Sequence, residues 1–285
     1  MGEGVTRALE RHREQFHADP ARSLSFEALE EHHFLASEWE ELALLYARRL
    51  EAPALRQRGA ERVRLLFRLG QILEERCGDP ARALQRYRQA VELEPSFGPA
   101  LRQLRRIYGA RGQWELVLQV AEVEGALPMH PYEASAFHAE LGQVWAERMN
   151  DAAQALVHFD RALESSPGAE AAASGRARCL VALGRAEEAA RVWAALLERV
   201  TGTERAPILL ALAELFAGPL GQPDRAFEAY RRALTENPRC REALDALVTL
   251  ASDRGQWPMV AELQERRFGL AAEGSERLAI ATSRS

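Results

Sequence analysis

Apolar residues along this chain recur three and four positions apart, the spacing of one face of an α-helix. Ala83, Tyr87 and Ala90 form one such run, Ala155, Phe159 and Ala162 a second, and Ala226, Tyr230 and Ala233 a third. Nothing alternates with the two-residue period of a strand or carries a hairpin turn. The pattern predicts roughly sixteen short helices and an all-α fold. Asp79-Pro80, Asn150-Asp151 and Pro223-Asp224 stand between runs and either cap the following helix or preset its first residue.

These runs repeat. Leu69-Gly70-Gln71 returns as Leu141-Gly142-Gln143 and, degenerately, as Leu212-Ala213-Glu214, while Pro95 returns as Pro167 and Pro238. Between them lie Gly112-Gln113-Trp114, Gly184-Arg185-Ala186 and Gly255-Gln256-Trp257, at spacings of 72 and 71. A fixed period of this kind marks a solenoid, in which each unit buries its apolar face only against its neighbours. Each period has two dissimilar halves, one with a lengthened turn and one with a Gly-x-Trp turn.

Leu69-Gly70-x2-Leu73, Ala83-x3-Tyr87, Ala90 and Pro95, together with their copies, resemble the tetratricopeptide repeat. The resemblance covers essentially the whole chain. Ala83 lies thirteen positions after Gly70, and Ala155 thirteen after Gly142, where the repeat pattern has twelve, so the turn is one residue longer; Sel1-like repeats are the nearest competitor. The resemblance implies a right-handed α-α superhelix of antiparallel helix pairs. As a single solenoid over 1–285, it divides into a half-repeat 1–20, repeats at about 21–55, 56–95, 96–130, 131–167, 168–202, 203–238 and 239–272, and a partial repeat 273–285. The distance from Trp39 to Trp114 is 75 residues, and its excess falls between Pro53 and Gly59. Both ends cut a unit in the middle, as in a segment of a longer array, such as a regulatory part of a multidomain signalling protein, or in an array that self-associates through open ends.

Composition narrows the chemistry. All 37 basic residues are arginine, which removes the Schiff-base, P-loop and general-base lysines together and fits a bacterial-like, GC-rich coding bias. Cys77, Cys179 and Cys240 are far apart and odd in number, which fits a reducing, cytoplasmic setting. No apolar run approaches the ~18 residues of a membrane span. There is no nucleophile elbow, no His-Glu-x-x-His and no phosphate loop, so no enzyme activity, catalytic residue or cofactor is expected. His32 and His33 stand beside Glu30 and Glu31, but consecutive helical residues point ~100° apart, so no metal site is expected either. The five tryptophans, at 39, 114, 145, 193 and 257, fall on core positions of the repeat, as do His12, His33 and His138. Arg176 stands where the repeat has leucine and needs either a rotated helix or an acidic partner such as Glu204.

One charge feature rises above the rest. Residues 56–111 hold thirteen arginines against six acidic residues, plus 7 within a chain of net charge −5. In the repeat family the first helix of each pair lines the concave groove, which maps ligand-facing positions onto Arg64, Phe67, Arg68 and Gln71, then Arg102, Gln103 and Arg106. Arg64 with Arg68, and Arg102 with Arg106, are four apart and share a face, a pattern suited to bidentate recognition of carboxylates. Further along the groove is acidic, at Glu214, Glu242, Asp245 and Asp253. The Asn and Lys carboxylate clamp of chaperone-binding members is absent. The resemblance implies a non-catalytic protein- or peptide-binding scaffold with an acidic ligand. The alternative is RNA or another polyanion along 56–111, which the net charge disfavours.

Overall fold

The computed structural model describes residues 2–282, and among them the chain is helical with no strand. It falls into two compact units, Met1–Met129 and His130–Ser285. The first holds α1 (Gly2–Ala18), α2 (Ser23–Leu35), α3 (Trp39–Glu51), α4 (Gly59–Glu75), α5 (Pro80–Leu93), α6 (Gly98–Ala110) and α7 (Trp114–Gly125). The second holds α8 (Pro131–Glu147), α9 (Ala152–Ser165), α10 (Glu170–Ala182), α11 (Ala186–Leu197), α12 (Arg205–Ala217), α13 (Pro223–Glu236), α14 (Arg241–Asp253) and α15 (Trp257–Thr282). Within each unit every helix packs on the next in the chain, the helical-pair arrangement of an α-α solenoid.

Two kinds of turn alternate, as the two unequal halves of the period imply. In the long turns the N–H of Asp79, Asp151 and Gln222 donates to the carbonyl six residues back, at 2.8, 2.9 and 2.7 Å. Each closes around a residue in the left-handed region, Gly78, Asn150 or Gly221. The Asp79 carboxylate then caps α5 by accepting from the N–H groups of Ala81 and Arg82, and Asp151 caps α9 in the same way. In the short turns the left-handed residue is Ser37, Gly112, Gly184 or Gly255. The N–H after it donates to the carbonyl five residues back.

Close packing rests on small residues. A Cβ built on Gly70 would stand 2.4 Å from the Tyr87 ring, and one on Gly142 would stand 2.8 Å from the Phe159 ring. Both rings are fully buried.

The excess residues of the first unit lie where the 75-residue spacing put them, and several other expectations are corrected. The extra residues between Pro53 and Gly59 form a 3-10 turn, Pro53–Leu55, which plugs Leu55 fully into the core. Trp193 is buried, whereas Trp39, Trp114 and Trp145 are half-buried and Trp257 is 66 % exposed. Trp257 opens α15 at the N1 position, and its ring is not enclosed there. In α1 the buried aromatic is Phe16 and not His12, which is half-buried with Nδ1 3.5 Å from Ser25 Oγ. Arg176 finds its acid in Asp160 of α9, Nε to Oδ1 2.6 Å, and not in Glu204. In α10 the buried set shifts to Gly175 and Ala177, which lets position 176 stay half-exposed. No new helix starts near 273, because α15 runs through it.

Candidate functional site

The arginine-rich stretch occupies α4, α5 and α6. On α4, Arg64 and Arg68 are exposed while Val63, Leu66 and Leu69 turn inward. On α6, Arg102 and Arg106 are exposed while Leu101, Leu104 and Ile107 are buried. Phe67 of α4 packs on Tyr87 of α5 and edge-on against Phe97, the N-cap residue of α6, with centroids 5.6 and 5.4 Å apart. Glu74 of α4 also pairs with Arg106 of α6. Half-buried Gln71 accepts from Arg68 at 3.4 Å, and half-buried Gln103 accepts from Arg106 Nε at 3.0 Å.

The seven positions are not equivalent. Arg106 is committed to Glu74, and Glu74 also accepts from the Tyr87 hydroxyl at 3.1 Å. Burial raises the Tyr87 hydroxyl pKa first, the Glu74 charge raises it further, and Arg106 opposes. One repeat earlier the Tyr46 hydroxyl donates to Glu30, again with a pKa raised first by burial and then by the carboxylate, and with Arg68 opposing. Glu30, Tyr46 and Arg68 thus lie on three successive helices, as do Glu74, Tyr87 and Arg106. Each group ties three helices together, and in the second the Glu74 carboxylate compensates Arg106. Sequence reasoning missed this, although the tyrosines at the aromatic repeat position, each with a glutamate 13 or 16 residues before it, carry the signal.

Other arginines of the stretch are also engaged. Arg82 forks onto Glu40 at 2.8 and 3.2 Å and reaches Asp79 at 2.7 Å. The Arg82 hydrogen bonds to Glu40, and then the Arg82 charge, hold the Glu40 carboxyl below its usual range. Arg105 reaches Glu124 at 2.7 Å, a pair in which the glutamate is 2 % exposed. Arg58 pairs with Glu61. Arg64 and Arg102 are exposed and make no hydrogen bond or ion pair among the described residues. At the positions 72 residues later, the second unit carries Ala136, Glu140, Ser174 and Arg178 in place of Arg64, Arg68, Arg102 and Arg106. The cationic face therefore belongs to α4 and α6 and is not a property of every repeat.

Comparison with known proteins gives the class. Tetratricopeptide repeat profiles match residues 63–97 and 146–215. Among solved structures, YrrB, a tetratricopeptide repeat protein described as having an unusual peptide-binding site, is 21 % identical with a TM-score of 0.52; the match covers 64 % of this chain and 90 % of that one. The C-terminal part of a tetratricopeptide repeat-containing protein from Cytophaga hutchinsonii is 18 % identical with a TM-score of 0.56, covering 86 % of this chain and 95 % of that one. No curated protein matches the chain. Residues 63–97 and 146–215 thus match tetratricopeptide repeats, whose general role is to scaffold protein–protein interaction, and the described chain shares the solenoid fold of such proteins. No helix among the described residues is long and apolar enough to cross a membrane.

Proposed function

We propose that the chain is a non-catalytic scaffold whose α4–α6 face binds an acidic protein or peptide segment. Arg64 and Arg102 contact the ligand carboxylates, while Arg68 and Arg106, held by Gln71, Gln103 and the Glu30 and Glu74 groups, shape the face beside Phe67. The observation that carries this reading is the pair of exposed guanidiniums, Arg64 and Arg102, on successive first helices and without an ion pair among the described residues, while Arg82, Arg105 and Arg106 nearby are matched to acids. Arginine suits the task because its planar fork meets a carboxylate with two parallel hydrogen bonds. The peptide site described for YrrB supports a peptide as the ligand class.

Selection from a random peptide library tests the reading. Acidic peptides are expected, and Arg64→Glu with Arg102→Glu should weaken them by about tenfold or more, on the scale of two charge-assisted contacts, with the thermal unfolding curve unchanged. Enrichment of neutral or basic peptides, or unchanged affinity in the double variant, would sink it. Binding of single-stranded RNA with a steep fall in affinity as salt rises would transfer the face to polyanions.

A further inference from the structure

The four short turns are copies of one backbone design, which makes a departure in one of them informative. Glu38, Gln113, Arg185 and Gln256 each donate their N–H to the carbonyl five residues back, on His33, Tyr108, Leu180 and Ala251, at 2.8 to 2.9 Å. The residue before each is in the left-handed region, with φ of 58 to 72°. The side chains one place ahead of those carbonyls are His32, Ile107, Cys179 and Leu250. Three copies therefore close the turn with uncharged residues at both helical positions. The α2–α3 turn alone places two imidazoles there and a carboxylate at the returning position, so the fold itself does not require them.

The side chains converge. His33 Nδ1 stands 2.6 Å from Glu38 Oε2, and His32 Nε2 stands 3.9 Å from the same oxygen. One ligand atom from each of the three residues lies within 4.8 Å of the others. The objection that consecutive helical residues diverge is met by the choice of nitrogen. Nδ1 of His33 sits close to the backbone, whereas Nε2 of His32 reaches out at the far end of its ring, and the rings stand edge to face with centroids 5.3 Å apart. Ser37 in the left-handed region turns the chain back so that Glu38 returns beside the last turn of α2.

We propose that His32, His33 and Glu38 bind a borderline dication of the Zn²⁺, Co²⁺ or Ni²⁺ kind at the α2–α3 turn. Two imidazoles and one carboxylate are the donor set of three-ligand zinc sites, with bonds of ~2.0–2.2 Å that set tetrahedral ligands about 3.4 Å apart. From 2.6 Å the His33–Glu38 contact would open by about 0.8 Å, while the His32 nitrogen would close by about 0.5 Å on Glu38 from 3.9 Å and by up to about 1.4 Å on His33. His33 and Glu38 also line a cleft between α1, α2 and α3 bordered by Arg13, His17, Glu41 and Arg48. Water in that cleft supplies the fourth ligand. His33 is buried, Glu38 is exposed and His32 is half-exposed, so an ion can enter from solvent. A plain hydrogen-bonded clasp across the turn would need only His33 and Glu38 and leaves His32 unexplained.

The test is Co²⁺ titration of the full chain, free of any affinity tag, followed by visible absorption, with Zn²⁺ as competitor. One equivalent with tetrahedral absorption bands, displaced by Zn²⁺, is expected. His32→Gln leaves the His33–Glu38 contact intact and should weaken binding about tenfold or more, the scale of even second-sphere losses; Glu38→Gln should do the same. His158→Gln, in the second unit, should leave binding unchanged. A rise in unfolding temperature with Zn²⁺, lost in Glu38→Gln, is the second readout, independent of whether His32→Gln is well folded. Absence of saturable binding, affinity indifferent to His32 and Glu38, or loss of binding in His158→Gln would overturn the proposal.

Discussion

The stretches α4–α6 and α8–α10 are the same architecture 72 residues apart, and they fill the space between repeats in different ways. In the first, Tyr87 rests on Gly70, Phe67 packs on Tyr87, and Phe97 packs on Phe67. In the second, the corresponding residues are Phe159, Gly142, Ala139 and Ala169, and the glutamine at 103 is replaced by Gly175. The aromatic fill is gone, and α10 packs directly against α8 as well as α9. Phe159 is gripped from both sides, with a Cβ on Gly142 reaching to 2.8 Å of the ring and one on Gly175 to 2.4 Å. One region packs by bulk and spends its polar atoms on a Glu–Tyr–Arg group. The other packs by close approach of small residues and, with Phe159 in place of a tyrosine, has no phenol hydroxyl to satisfy there.

The largest test of this difference is truncation of the two rings. Phe159→Ala should cost about 4–5 kcal/mol, because its glycine walls have no side chain to move into the hole, and Tyr87→Ala about 3 kcal/mol, because Phe67 can relax toward it. Urea unfolding with hydrogen exchange to locate the loss will rank them, and the reverse order would break the comparison. Next, Gly175→Ala should destabilise by about 1–3 kcal/mol despite alanine's better helix propensity, since the buried ring cannot retreat from it. Gln103→Ala, at the matching half-buried position, should change stability by no more than about 0.5 kcal/mol. Equal effects would mean that close approach is not what distinguishes the second region.

The smallest effect concerns pH. His158 lies beside Phe159 in sequence, and its Nδ1 is 3.2 Å from that of His138. Burial, then the His138 and Arg161 charges, push its pKa down to about 4, and burial also lowers His138. The unfolded chain therefore takes up protons before the folded one does. Stability from this pair is complete above about pH 6.5 and falls as pH drops toward 4, by about 1–2 kcal/mol once partial exposure is allowed for. The first unit carries Arg86 and not a histidine at the position of His158, so the loss should appear in the second unit and shrink in His158→Gln. Thermal melts at stepped pH check it, and an unchanged slope in the variant would remove the pair as its cause.

Much of the architecture is legible in the residues. The turns at Asp79-Pro80 and Asn150-Asp151 cap helices as their chemistry dictates, and the Ala-x3-aromatic runs bury the residues their spacing selects. The exposure of Arg64, Arg68, Arg102 and Arg106 follows from the same periodicity. Which of them is compensated does not, because Arg106 meets Glu74 across 32 residues and Arg82 meets Glu40 across 42. Arg176 shows the same limit, since the sequence offers Glu204 as its acid and the structure supplies Asp160 on the preceding helix. Trp257 shows another, because a repeat position is buried only where the surrounding helices enclose it.

The sequence by itself determined the helical class, the 72-residue period, the two turn types and the cationic stretch. These are properties of local spacing, and a helix fixes which residues share a face without reference to anything distant. Only the tertiary structure decided how charges and rings are partnered: the Glu–Tyr–Arg groups, the double grip on Phe159, and the meeting of His32, His33 and Glu38. Those depend on ångström-scale distances between side chains on separate helices, or across a turn whose left-handed residue redirects the chain. Periodicity sets direction along one helix and carries no information about such distances.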